Sequence, residues 1–536
     1  MALSHRLPLR RMRWALALLP LALAGCASTD IGYRAPASAV PLQWQSLVTD
    51  STASPVSTAA APGSPAPAMA VAQDRDAGQM AAWWRQFNDP VLDGLVADAL
   101  DHNLDLRTAQ AQLREARASR RLAGAQLGPT LEANAAVAQS KSSRVTGSGA
   151  TRELYSAGLD ASWEIDLFGR LRNGRAAAEA SLGTAVEQLR DTRVSLVAEV
   201  VNNYIELRTA ARRLALAEST LAARQEALDL AAWRQQAGLV SELDVAQART
   251  ELESARAGLP VLRTALSEAQ YRLAVLLGQA PGALASRLAG HGDVPRAGAA
   301  ISAGIPADTL RQRPDVRAAE RRLAAQVARL DEAKAARYPA LRLSGSIGWE
   351  ALGAQGLGDS GALARSLLAS LSAPIFDAGR IRANIGVQDA RLEQSRLAYE
   401  GAVLAALEDV ENALVALVNA QAREQQLALA AASARSTRAI AGYRYQAGLA
   451  DFLSVLDSER TLLSLEDQLA QAAGALASAQ VRLYKALGGG WSPAAGTDAS
   501  AASRAPAATA GGADVTAPPD SASATPVVSA SVLESR

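Results

Sequence analysis

Two runs of the chain alternate apolar and polar residues at helical spacing over a length that no compact domain needs. Val197, Val200, Tyr204, Leu207, Ala211, Leu214 and Leu221 step by threes and fours, with one step skipping Glu218. Val403, Leu407, Val410, Leu414 and Leu417 repeat the pattern, and such spacing is a coiled-coil seam. Each seam lies in a proline-free run from Gly169-Arg170 to about Gln236, or from Gly379-Arg380 to about Gln446. At about 1.5 Å per residue each run reaches roughly 100 Å if helical throughout. Returning helices are expected from about Glu242 to Leu277 and from Phe452 to Leu487. Between outgoing and returning helices lie WRQQAGLVSELDVAQART (Trp233 to Thr250) and YRYQAGLADFLSVLDSER (Tyr443 to Arg460), with Gly238 and Gly448 at the turns. These read as two helix-hairpin tips.

Ahead of each long run the period changes. Val91 to Leu127 and Pro306 to Tyr338 read as helices that stop before Pro129 and Pro339, because proline cannot continue a helix. Period-two patterns follow. Tyr155, Leu159, Trp163 and Ile165 alternate with Ser156, Asp160, Ser162, Glu164 and Asp166; Leu341, Leu343, Ile347 and Trp349 alternate with Arg342, Ser344, Ser346 and Glu350. Leu367, Ala369, Leu371, Ala373 and Ile375 keep the odd positions apolar. These are strands with one apolar face. Glycine-containing loops at Val145 to Ala150 and Gly353 to Gly361 would join them, giving one hairpin per unit and four strands per chain.

A single offset of 210 aligns Gly238 with Gly448, Arg107 with Arg317, Pro129 with Pro339, Gly169-Arg170 with Gly379-Arg380 and Leu277-Gly278 with Leu487-Gly488. The core is therefore two copies of one unit. The expected organisation is a signal peptide at 1–25, a tether at 26–82, the first repeat at 83–278, a link at 279–304, the second repeat at 305–488 and a low-complexity tail at 489–536. The stretch STASPVSTAAAPGSPAPAMA and the tail lack the apolar periodicity that could offset ordering entropy.

Composition narrows the class. Aromatic residues are 4% of the chain, and alanine and leucine dominate, which favours long helices packed at close range. A net charge of +1 gives no electrostatic case for nucleic acid. His5, His102 and His291 are scattered, and no metal-ligand cluster, P-loop or dinucleotide fingerprint appears. Glu164 and Asp166 stand without a nucleophile or histidine, so no catalytic constellation is present and the chain reads as no enzyme. Four strands cannot close a barrel, for which about eight is the practical minimum. Their open edges would invite aggregation, so strands from several copies should close one shared barrel.

The N-terminus carries Arg6, Arg10, Arg11 and Arg13, an apolar run from Trp14 to Ala22, and Leu23-Ala24-Gly25-Cys26. That is an export signal too short to span a membrane. Its end resembles the bacterial lipobox, which implies a covalent lipid on Cys26, the chain's one cysteine; Ala27 after it resembles an outer-membrane address. No other cofactor is expected.

WEIDLFGRLR (Trp163 to Arg172), IPADTLRQRPDVRAAE (Ile305 to Glu320), APIFDAGR (Ala373 to Arg380) and LYKALGGGW (Leu483 to Trp491) resemble the TolC family, closest to its OprM-like, NodT-type outer-membrane efflux lipoproteins. The resemblance implies an α+β membrane protein. Three chains would form a homotrimer with a twelve-stranded outer-membrane β-barrel, four strands from each, continued by a long periplasmic α-helical barrel. It also implies the exit duct of a tripartite efflux pump, passing small molecules such as drugs. Its partners would be a periplasmic adaptor of the membrane-fusion type, an inner-membrane transporter of the RND type and outer-membrane lipid.

Carried over residue by residue, the family's periplasmic gate falls on Leu453, Asp457 and Arg460, with Tyr445 as a tether of the hairpin. Spacing of i to i+4 and i to i+3 puts the first three on one helix face. Stacked rings in a trimer would bind cations, and Asp457 and Arg460 of adjacent chains could pair; the plain alternative is a solvated helix pair. Ala450 and Ser454 stand where some family members have an arginine and a second aspartate, and Asp244 on the first tip is the candidate substitute partner. Trp163, Tyr155 and Trp349 are either interfacial anchors or strand-packing residues. A lipid-anchored coiled-coil scaffold or adhesin of the envelope stays open as an alternative, although it does not call for strands in duplicate.

Overall fold

The computed structural model describes Pro41, Trp44, residues 80–290, residues 292–298 and residues 306–491. Cys26 and its signal, most of the tether, part of the link at 279–304 and nearly all of the tail lie outside the described residues. After a short turn at Trp83–Phe87 the elements are α1 (Pro90–His102), α2 (Leu104–Ala125), β1 (Thr130–Lys141), β2 (Thr151–Ile165), α3 (Arg170–Gln236), α4 (Glu242–Leu276) and the single turn α5 (Ala285–Leu288). The second half runs α6 (Pro306–Gln312), α7 (Pro314–Ala335), β3 (Ala340–Ala351), β4 (Leu363–Ser372), α8 (Arg380–Gln446) and α9 (Phe452–Ala486). Helices α3 and α8 are each 67 residues long, so each rises about 100 Å.

The run expected from Val91 to Leu127 is broken at Asn103, and that from Pro306 to Tyr338 at Arg313. Asn103 caps α2 by accepting from the Leu106 N–H at 2.9 Å. Pro314 opens α7, and the residue before a proline avoids helical backbone. Both break residues do a second job. The Asn103 amide donates to the Leu276 carbonyl at 2.9 Å, and the Arg313 guanidinium donates to the Ala486 carbonyl at 3.1 Å. Each returning helix therefore ends against the start of a shorter one, with its last orphan carbonyls satisfied across the joint. Arg313 is buried and held by Asp315 at 2.6 Å and Asp409 at 2.9 Å.

The strands form one antiparallel sheet in the order β1-β2-β3-β4. The two hairpins pair with each other through β2 and β3, where Gly158 lies opposite Gly348. A Cβ at Gly348 would come within 2.6 Å of the Ala157 carbonyl oxygen, so only glycine lets the strands meet there. Strand β4 stops at Ser372, two residues before Pro374, so Ala373 and Ile375 lie beyond it; Asp166 likewise lies past the end of β2. Ala133, Leu159 and Ile347 line up across one face, while Glu132, Asp160, Ser346 and Ser366 line up across the other. The apolar face is bare: Leu131, Leu367 and Leu371 are all more than 60% exposed. Strands β1 and β4 are free edges. No helix among the described residues is long and apolar enough to cross a membrane.

The largest buried cluster sits around Trp83, Tyr204 and Tyr484. Trp83 stacks on Tyr484 at 4.9 Å, whose hydroxyl donates to Gln86 at 2.6 Å and is pushed up to about 12, chiefly by burial. Tyr204 donates to Asp89 at 2.5 Å and accepts from Arg208 at 2.9 Å.

Candidate functional site

The candidate residues gather where α3 turns into α4 and α8 turns into α9. Gly238 has φ 73° and Gly448 φ 71°, left-handed values that suit glycine at a helix C-terminus. The next N–H closes each end, from Leu239 to the Arg234 carbonyl and from Leu449 to the Arg444 carbonyl, both at 2.8 Å.

The returning helices are capped by the same two side chains in exchanged places. Ser241 caps α4 and Asp244 reaches back to the Ser241 N–H at 2.8 Å, a reciprocal capping box. Asp451 caps α9, accepting from the Ser454 N–H at 3.0 Å and from its hydroxyl. These bonds hold the Asp451 carboxyl below the usual carboxylate range. Asp244, the candidate substitute partner at the gate, accepts from Ser241 at its own helix end within the chain, and Ser454 is likewise a cap partner.

Leu453 and Asp457 stand exposed on α9, and Asp457 has no hydrogen bond or ion pair among the described residues. Arg460 shares their face of the helix, and within the chain its hydrogen bonds go to α4. Its Nε donates at 2.9 Å to Oε1 of Glu251 on α4. Arg224 on α3 approaches the other oxygen at 3.2 Å and donates to the Glu251 main-chain carbonyl at 2.7 Å. Glu251 is only 8% exposed, and its carboxyl is held below the usual range, first by the hydrogen bond from Arg460 and, against the effect of burial, by the charge of Arg224. Within the chain, Arg460 thus answers a buried glutamate of the first hairpin, because a buried carboxylate needs its counter-charge at hand.

The Tyr445 ring packs against Phe452 at 5.6 Å, and the Arg234 guanidinium lies 4.5 Å from its centroid. Phe452, Leu456, Ala231 and Ala248 form a buried cluster with Tyr445 at its edge, so all four helices of the two hairpins meet in one small core. Glu251 and Phe452 are not among the candidate site residues of the sequence. The available signal was the 210-residue repeat: Arg460 is the mate of Thr250, which adjoins Glu251.

At the other end, Glu164 pairs with Arg170 at 2.7 Å and Asp166 with Arg172 at 3.3 Å. They fasten the strand-to-helix turn. Trp163 donates to the Leu127 carbonyl at 2.9 Å, and Trp349 is half exposed on the apolar face.

The outer membrane efflux protein family model matches the chain twice, at residues 95–279 and 305–489; both limits of the second match lie 210 residues beyond the first. The chain is similar to the pyoverdine export outer membrane protein OpmQ of Pseudomonas putida, 34% identical over 419 residues, 76% of this chain and 88% of that one. It is also similar to the outer membrane protein OprJ of Pseudomonas aeruginosa, 34% identical over 413 residues, 76% of this chain and 86% of that one. Among solved structures, that of the outer-membrane channel OprN superimposes with a TM-score of 0.78 at 35% identity, covering 86% of this chain and 99% of the other.

Proposed function

The chain belongs to the outer membrane efflux protein family as an outer-membrane channel of an efflux pump, and from that premise we propose a homotrimeric exit duct closed at its helix tips by Leu453 and Asp457. The observation that carries this reading is the four-stranded sheet with a bare apolar face and two free edges. Alone it would aggregate; with two further copies it closes as a barrel in lipid. The repeat supports the same assembly in the helices. Ala177, Glu187 and Val194 on α3 are buried, and their mates Val387, Leu397 and Leu404 on α8 are exposed. Helix α7 packs between α3 and α8, so the uncovered stripe of α8 calls for the α2 of a second copy.

Three copies bring six tips together, each with the same exposed apolar set: Leu230 and Ile440, Trp233 and Tyr443, Leu239 and Leu449, Leu243 and Leu453. That set suits docking of a periplasmic adaptor, behind which an inner-membrane transporter of the RND type supplies the energy. The relatives' names point to small-molecule cargo, pyoverdine in the case of OpmQ; drugs and other small molecules are the class proposed for this duct. A lipid on Cys26 would add an anchor to the barrel.

In planar bilayers the wild-type trimer should conduct poorly and be blocked by divalent cations. Asp457→Ala should raise single-channel conductance and relieve the block. Unchanged conductance with unchanged block rejects the gate reading.

A further inference from the structure

Helix α3 lies between α4 and α9, and at one level all three carry small residues: Ala217, Ser254, Ala255, Gly258 and Ser464. Packed helices need larger side chains to fill the space between them. A cavity of about 540 Å³ therefore opens there, bounded also by Leu216, Val261, Leu262 and Leu463. Its size falls in the range of about 300–1,000 Å³ in which drug-sized molecules bind. A Cβ at Gly258 would meet nothing within 4 Å, so the space is open on the α4 side.

The charged groups of this wall do not balance. Arg213, Arg224 and Arg460 line the cavity with three guanidinium groups. Arg213 donates to Asp467 at 2.6 and 3.1 Å, while Arg224 and Arg460 share the single carboxylate of Glu251. Three cations against two anions leave one positive charge in excess, and each guanidinium has more N–H donors than these carboxylates take up. The neighbouring cavity of about 460 Å³ shares Arg213 but sets Arg213 and Arg272 against Glu206 and Glu268, which cancels. Apolar walls and surplus positive charge coincide in the larger cavity.

We propose that this cavity is a binding site in the wall of the duct for amphipathic organic anions. A carboxylate or sulfonate sits on Arg213 and on the N–H groups of Arg224 and Arg460 that Glu251 leaves over, and the apolar body lies against Leu216, Val261, Leu262 and Leu463. An organic cation meets only Asp467 there, already held by Arg213. The placement rests on the duct reading. Asp457, Arg460, Ser464, Asp467, Gln471 and Gly474 follow one another along α9 in alternating steps of three and four, so the face that bears Asp457 at the tip borders the cavity farther along.

The test titrates whole trimers in lipid nanodiscs with naphthoate, and with naphthylmethylammonium as the competing cation of the same ring system; naphthoate is also added to single-channel recordings. Naphthoate should bind, resist displacement by the cation and reduce the current. Gly258→Phe fills the space and should abolish both effects. Arg213→Gln should weaken binding roughly tenfold. Asp467→Asn frees Arg213 and adds to the surplus charge, so it should tighten binding, a gain that a damaged fold would not give. The proposal is overturned if naphthoate does not bind, if the cation displaces it, if Gly258→Phe leaves binding intact, or if Asp467→Asn fails to tighten it. Binding without reduced current puts the cavity off the passage and also overturns it. Asp457→Ala separates the two readings: if it leaves conductance unchanged while naphthoate still binds and reduces the current, the gate residues fall and the wall site stands.

Discussion

At the tip joining α3 to α4, Gly238 makes the turn, Leu239 and Leu243 stand exposed, and Ser241 caps the returning helix. At the tip joining α8 to α9, Gly448 makes the turn, Leu449 and Leu453 stand exposed, and Asp451 provides the cap. Backbone and exposed apolar surface are thus duplicated, while charge and packing are not. Asp457, Arg460, Tyr445 and Phe452 on the second tip face Gln247, Thr250, Gln235 and Glu242 at the matching places on the first. On our reading, what repeats serves turn-making and docking, and what differs is where closure resides. The carboxylate that answers Arg460 is on the first hairpin, so the copies diverged into complementary halves of one device.

The largest effect on this comparison is expected from the small core. Phe452→Ala empties a buried site and should cost about 3 kcal/mol or more, whereas Glu242→Ala at the matching exposed place should stay within about 0.5 kcal/mol. Hydrogen exchange of the tip amides measures both, and equal losses would break the contrast. Gly238→Ala and Gly448→Ala should each cost about 1 kcal/mol, since both force a side chain into left-handed backbone. A clear inequality between them would mean that the turns are not equivalent after all.

Acid gives the smallest and most selective effect. Because the Asp451 carboxyl is held below its ordinary value, its cap is complete above the ordinary carboxylate pKa and is lost as pH falls through the lowered one. Exchange measured below about pH 4 should therefore fray the start of α9, and Asp451→Asn should move that onset; a start of α9 that stays equally protected through the acid range would contradict the assignment of the cap.

The architecture was legible because its signals are local and occur twice. The three-and-four step of α3 and α8, the two-residue period of the strands and the 210-residue offset need only neighbours in sequence. The helix breaks at Asn103 and Arg313 were hidden because apolar periodicity runs on through them; the cue was capping chemistry, an asparagine three residues before Leu106 and a proline after Arg313. The Glu251 contact was out of reach for a different reason. Glu251 and Arg460 are 209 residues apart, and helix spacing along α9 pointed Arg460 at Asp457 instead. Residue spacing defines a face, but tertiary packing decides which neighbour a long guanidinium on that face meets.

On our reading the two tips share a scaffold but divide the labour, with Asp457 closing the passage and Asp244 capping a helix. Single-channel recording of Asp457→Ala beside Asp244→Ala, in the same bilayer and salt, tests it most directly. Asp457→Ala should raise conductance and relieve the divalent-cation block, and Asp244→Ala should keep wild-type conductance and block. Equal increases in both variants, or an increase in Asp244→Ala alone, would contradict it.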